Sequence, residues 1–256
     1  MISIKVQTNG MLELKARLAG VADKQVAFAT SRALNAAAAA AARATSIAMR
    51  SVFDRPTPWV MKSVRYTKSD KRNLTATVDF DFWGNKQGVT VAHVLAAEIH
   101  GGPRKNKRHE IALQRARILP AGMGIVPGPA AKLDQYGNMS AGQIVQIMSW
   151  FQAFGEQGYW ANMRDGGKRL GRDNKKTGQK GYAYFALQKP HGKLVPGIYQ
   201  RIQFGAGSAV KPVMFFVRMP NYKRRFDFYG IAERQARREF DRKFPEMLAE
   251  AMRTAR

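Results

Sequence analysis

At 256 residues and 28.6 kDa the chain lies between one large domain and two small ones, long enough to bury a core without covalent staples. The absence of cysteine excludes a disulfide framework, a thiolate nucleophile and zinc sites of the finger or ribbon type. Its 43 Lys and Arg against 18 Asp and Glu leave a formal charge of +25. That is far beyond the charge of about 2 to 8 that keeps a small domain soluble, and it predicts a negatively charged partner.

The opening MISIKVQTNG has no basic n-region followed by an apolar h-region, and no run approaches the ~20 apolar residues of a membrane span. A soluble, unprocessed protein is expected. ISIKVQT alternates as a strand does and Asn9-Gly10 supplies a turn, after which MLELKARLAGVA places Leu12, Leu14, Leu18 and Val21 on or near one helical face. From Asp23 to Phe53 good helix formers continue without proline or glycine, through an unbroken run from Ala36 to Ala42. Side chains this small permit close helix approach, to the protein's own sheet or to a neighbouring subunit. Pro56 disfavours helical geometry at Arg55, so the helix should stop near Phe53 or Asp54. Thr57 and Pro58 then supply an N-cap and first turn for a short helix through WVMKSV, with Trp59 as a core plug at the corner.

NLTATVDFDFW places Leu74, Ala76, Val78, Phe80 and Phe82 on one side of a half-buried strand and Thr75, Thr77, Asp79 and Asp81 on the other. AHVLAAEIH reads as a helix ending at Gly101, IALQRARILPAG as a short helix entering a turn, and VPGPAAKLDQYGNM as a loop before Ser140 caps AGQIVQIMSWFQAF. Residues 155–181 are glycine-rich, basic and without periodicity, which predicts a loop or arm. YAYFALQ, GIYQRIQF and PVMFFVRM follow as antiparallel strands. A second long helix from about 229 to 254 carries Tyr229, Ala232, Ala236, Phe240, Phe244, Met247, Leu248 and Ala251 on one stripe, with Arg238, Arg242 and Arg253 opposite and Pro245 as a kink. The expected fold is one α+β domain over 1–256, an antiparallel sheet packed with two long helices (about 23–53 and 229–254) and extended basic loops.

Few residues invite catalysis. His93 and His100, seven apart with Glu98 nearby, resemble two metal ligands but lack a third at a characteristic spacing. Asp79 and Asp81 share a strand face as nuclease carboxylates can, a pattern that a solvated strand edge also produces. GGKRLGRDNKKTGQKG has the ingredients of a phosphate cradle without its order, and no GxSxG occurs. No catalytic residue, metal or cofactor is expected. The stronger signal is three basic clusters: Arg104, Lys105, Lys107 and Arg108; Lys168, Arg169, Arg172, Lys175 and Lys176; and Lys223, Arg224 and Arg225. At loops and element ends their long side chains reach phosphates or carboxylates without disturbing a core. No zinc finger, RNP pattern or basic region with heptads accompanies them, so contact with nucleic acid would be to the backbone.

Several stretches together resemble a family of bacteriophage and prophage tail proteins, the minor tail protein Z-like, tail-completion group. They are the early strand and helix, RALNAAAAAAARA, FDRPTPW with NLTATV after it, LDQYGNMSAGQI and the final NYKRRFDFYGIAERQARREF with its terminal helix. The resemblance covers both ends and the middle of the chain. It implies a non-enzymatic structural protein of the virion, a homo-oligomeric ring at the neck that joins the portal or connector to the tail and is made in the cytoplasm of the host bacterium. It supplies no role for the segment around 160–180. The alternative from the residues is a DNA-binding or packaging accessory protein that contacts the nucleic-acid backbone through its basic loops.

Overall fold

The computed structural model describes residues 4–6, 23–81, 89–154, 163–164, 169–170, 181–204 and 207–254. The fold is α+β with antiparallel sheets, and two long helices pack against one of them. The sequence predicts one domain over 1–256; the chain divides into two compact units, residues 1–102 with 222–256, and residues 103–221. The first is thus assembled from both ends of the chain, and the second is carried between them.

The first unit holds a three-stranded sheet in which β3 (Ala76–Phe80) is central, flanked by β1 (Ile4–Val6) and β2 (Val64–Thr67). Both pairings are antiparallel, with Ile4 opposite Val78 and Val64 opposite Phe80. Against this sheet lie α1 (Asp23–Val52) and α6 (Phe228–Arg253). The helices run in opposite directions, because Arg32 of α1 meets Glu250 of α6 at 2.9 Å whereas Met49 shares a cluster with Phe228. The alanine run is the seam. Leu34, Ala37, Ala38 and Ala41 form one apolar cluster with Ala76 and Val78 of β3 and Ala232 and Ala236 of α6. Methyl side chains let backbones approach closely, so the short residues serve packing inside this unit. Thr30 and Thr45, buried on the same helix, donate to the carbonyls of Val26 and Ala41 at 2.8 Å and so bring no unsatisfied hydroxyl into the core.

The corner after α1 follows the predicted chemistry. The helix ends at Val52, Arg55 adopts φ +45° before Pro56, and Thr57 caps α2 (Pro58–Met61) by accepting from the Val60 amide. Trp59 departs from expectation: at 38 % exposure it lies at the surface, and Phe53 fills the corner instead, edge-on to Phe226 at 5.4 Å. The loop entering β3 is tied to α1 by a polar knot. Ser69 receives the Asn35 amide side chain at its carbonyl, donates its own N–H to Asn35 Oδ1 at 2.7 Å, and exchanges hydroxyl contacts with Ser31. Beyond β3, α3 (Val91–His100) is capped by Thr90 and ends at Gly101, whose φ of +79° is a conformation that favours glycine.

In the second unit α4 (Arg108–Arg115) and α5 (Ala141–Trp150) supply apolar side chains to the core of a six-stranded sheet. Its order is β4 (Met123–Pro127), β9 (Gly207–Arg218), β8 (Gly197–Phe204), β7 (Tyr182–Leu187), β6 (Arg169–Leu170), β5 (Met163–Arg164). Each described pairing is antiparallel. Leu113, Ile147, Ile198, Val213 and Met214 are the buried centre. Gly197 faces the Met214 carbonyl, which a Cβ would meet at 2.3 Å, so β8 and β9 can run together there only with glycine. LDQYGNMS closes on itself: Asp134 Oδ1 accepts from the amides of Tyr136 and Asn138, each at 2.9 Å, and Gly137 takes φ +80°.

Candidate interaction surface

The basic residues singled out from sequence do three different things. Arg104 is structural. Its Nη1 and Nη2 donate to Glu110 Oε2 and Oε1 at 2.8 and 2.6 Å, and Glu110 is wholly buried. The Lys107 amide at 2.6 Å and the Ile125 amide at 2.7 Å complete the shell of that carboxylate. Burial alone would raise the Glu110 carboxyl; the Arg104 hydrogen bonds and the two amides outweigh it and hold the group below the usual carboxylate range. A Cβ on Gly124 would lie 2.9 Å from Arg104 Nη2, so the glycine makes room for the guanidinium. Glu110 thereby ties the start of α4 to β4. Nothing in the sequence marked it, because a Glu three residues into a polar helix looks solvated.

Lys105, Lys107 and Arg108, from the same cluster, are exposed. His109 beside them is half-buried, and burial followed by the Lys107 charge pushes its pKa down, so it is neutral at pH 7. In the first unit Arg225 is engaged by Glu98, Nε to Oε2 at 2.7 Å and Nη2 to Oε1 at 2.9 Å. Arg224 pairs with Asp227, which also accepts from the Gly230 amide as N-cap of α6. Lys223 is exposed. Lys168, Arg172, Lys175 and Lys176 lie outside the described residues; Arg169 is placed only as backbone of β6.

The exposed cations of the second unit are the part that sequence reasoning passed over. Arg115, Arg117, Lys132, Lys189, Lys193, Arg201, Lys211 and Arg218 are all exposed. Only five acidic residues, Glu110, Asp134, Glu156, Asp165 and Asp173, occur in residues 103–221. Of the two described, Glu110 is sealed in the interior and Asp134 holds its own loop. The signal was present in the count of acids by segment, which becomes visible only once the unit boundaries are known.

The carboxylate pair considered for metal chemistry is corrected by burial. Asp79 does not face solvent with Asp81: it is 4 % exposed, and its Oδ1 accepts from the Phe80 amide at 2.7 Å while Oδ2 has no hydrogen-bond partner among the described residues. Burial raises its pKa against the opposing effect of that amide. Asp81, half-exposed, lies 3.7 Å from Arg65 Nε. His93 and His100 are exposed on α3. Among the described residues no three of His, Cys, Asp and Glu group as metal ligands, and no helix is long and apolar enough to cross a membrane. No family model, curated protein or solved structure matches the chain.

Proposed function

We propose that this chain is a non-enzymatic structural subunit of a bacteriophage virion, a neck or tail-completion protein present in several copies where the portal or connector meets the tail. The observation that carries the reading is the outward positive excess. Even if every one of the 18 acidic side chains neutralised a cation, the formal charge of +25 would remain, and in the second unit every Lys and Arg whose side chain is described, apart from Arg104, is exposed. A surface of one sign repels its own copies in isolation and is stabilised beside a polyanion or an acidic neighbour, the situation of a subunit set between a packed genome and other virion proteins. The resemblance of FDRPTPW, LDQYGNMSAGQI and the terminal helix to the tail-completion group supports the same reading.

The test is the assembly state of the purified full chain and of the chain expressed with any portal or tail proteins found encoded beside it. Rings in negative stain, or a stable complex with one of those proteins, are expected. A second reading, a DNA-binding packaging accessory, is favoured by the same charge. It predicts a monomer that binds duplex strongly at low salt and associates with neither protein.

A further inference from the structure

Helix α4 ends in a closure that ordinarily belongs to glycine. The Ile118 amide donates to the Leu113 carbonyl and the Arg117 amide to the Gln114 carbonyl, each at 2.9 Å, the paired bonds of a Schellman motif. The residue just past the C-cap of such a motif takes a left-handed backbone, and here it is Arg117, at φ +58°. An L side chain is disfavoured at that position relative to glycine. Nothing in the motif requires a guanidinium, and Arg117 is exposed with no ion pair among the described residues.

The same corner receives a second basic segment. Gln188, following β7, donates its side-chain amide to the Arg117 carbonyl and, at 3.4 Å, to that of Ile118. This pins the next stretch beside Arg117. Lys189 follows directly, and the chain then reverses through a turn in which His191 and Leu194 exchange backbone hydrogen bonds at 2.9 and 3.0 Å. Gly192 in that turn has φ +58°, and Lys193 stands next to it. Arg117 and Lys189 are thus brought together from separate segments, and Lys193 follows in the adjoining turn; all three are exposed and none has a carboxylate partner among the described residues.

We infer that Arg117, Lys189 and Lys193 form a contact site for the phosphate backbone of nucleic acid. The choice of partner follows from the surroundings. The unit's sequence carries few acids anywhere, so its field has one sign over an extended surface, which complements a polymer bearing a charge about every 1.7 Å better than a bounded acidic patch. Two of the three are lysines, point charges suited to phosphates without reading bases. The site deepens the virion reading by assigning the genome-facing role to the second unit. The contact itself is measurable without that reading.

The experiment uses the full chain and a labelled DNA duplex, with binding followed by anisotropy across a salt series. In the variant Arg117→Gly, Lys189→Gln, Lys193→Gln the slope of log affinity against log salt is expected to shrink by about two to three. Arg237→Gln with Arg238→Gln, exposed residues of α6, should keep the wild-type slope. Arg117→Gly alone should weaken binding while leaving the unfolding temperature unchanged or higher, since it relieves the left-handed backbone. A wild-type slope in the triple variant would overturn the site, as would a lower unfolding temperature for Arg117→Gly. Displacement of the duplex by polyglutamate at equal charge concentration would overturn the choice of partner. Failure here leaves the assembly test standing, and failure to form rings or complexes leaves this measurement standing.

Discussion

The two units differ in how much of their charge is met by their own carboxylates: 24 Lys and Arg stand against 13 Asp and Glu in the first, and 19 against five in the second. In the first, acids are numerous and exposed enough to meet cations: Arg32 pairs with Glu250 across the two long helices, Arg225 grips Glu98, Asp227 lies between Arg224 and Arg234, and Arg242 reaches Glu239 at 2.6 Å. Exposed pairs of this kind contribute little stability each, yet they neutralise the surface locally. In the second unit the Arg104–Glu110 ion pair is withdrawn into the fold, whereas Arg115, Arg117, Lys132, Lys189, Lys193, Lys211 and Arg218 are exposed. Part of the charge of the first unit is thus met by its own carboxylates. In the second, with five acidic residues against 19 Lys and Arg in the sequence, most cations can have no carboxylate of their own unit.

That contrast can be broken from the inside. Glu110→Ala should have the largest effect, because it leaves the buried end of Arg104 and two amides without an acceptor; the loss expected for one member of such a network is about 3–5 kcal/mol. Hydrogen exchange should show lost protection in α4 and β4, with the amides of α1 and α6 protected as before. In the first unit the vulnerable point is volume. Ala38, fully buried in the seam between α1, α6 and β3, has no room for a longer side chain. Ala38→Leu should destabilise by about 1–3 kcal/mol, read from denaturant unfolding, whereas Ala39→Leu, at a partly exposed position of the same helix, should cost less.

A smaller effect sharpens the comparison through pH, because the buried carboxyls of the two units shift in opposite directions. Glu110 is held below the ordinary value, so its stabilisation is fully present above the unfolded carboxylate pKa and is lost as pH falls through the folded value. Asp79 is raised, so its charge is a burden that appears as pH rises through its folded value and is absent below the unfolded one. Asp79→Asn should therefore raise the unfolding midpoint at pH 7. Its advantage over wild type should fade as pH falls toward about 4, the ordinary carboxylate range.

Much of the fold was legible because the signals were local. Asp23 to Val52 contains no breaker until Pro56, Thr57 and Ser140 cap helices as their side chains predict, and the alternation of Ala76, Val78 and Phe80 placed β3 and its buried face. The strands β2 and β4 were not legible. Val64-Arg65-Tyr66-Thr67 is an exposed edge with little apolar alternation, and Met123-Gly124-Ile125-Val126-Pro127 contains a glycine and a proline that read as loop. Gly124 is there for the Arg104 guanidinium, a contact that sequence cannot display. The division into two units was hidden because the first is closed by α6, distant in sequence from α1. Candidate contact residues divided likewise: their charge was plain, but only coordinates separate Arg104 and Arg225, which are engaged by carboxylates, from Lys105 and Lys223, which face solvent. Arg117 was missed because a left-handed arginine leaves no mark in the sequence.

The most direct test of the proposed virion role is to delete this gene from the genome that carries it and to examine any phage particles that genome produces by electron microscopy, with infectivity counted alongside. The account predicts filled heads and separate tails that fail to join, restored when the intact chain is supplied in trans. Complete, joined and infectious particles without it would contradict the account.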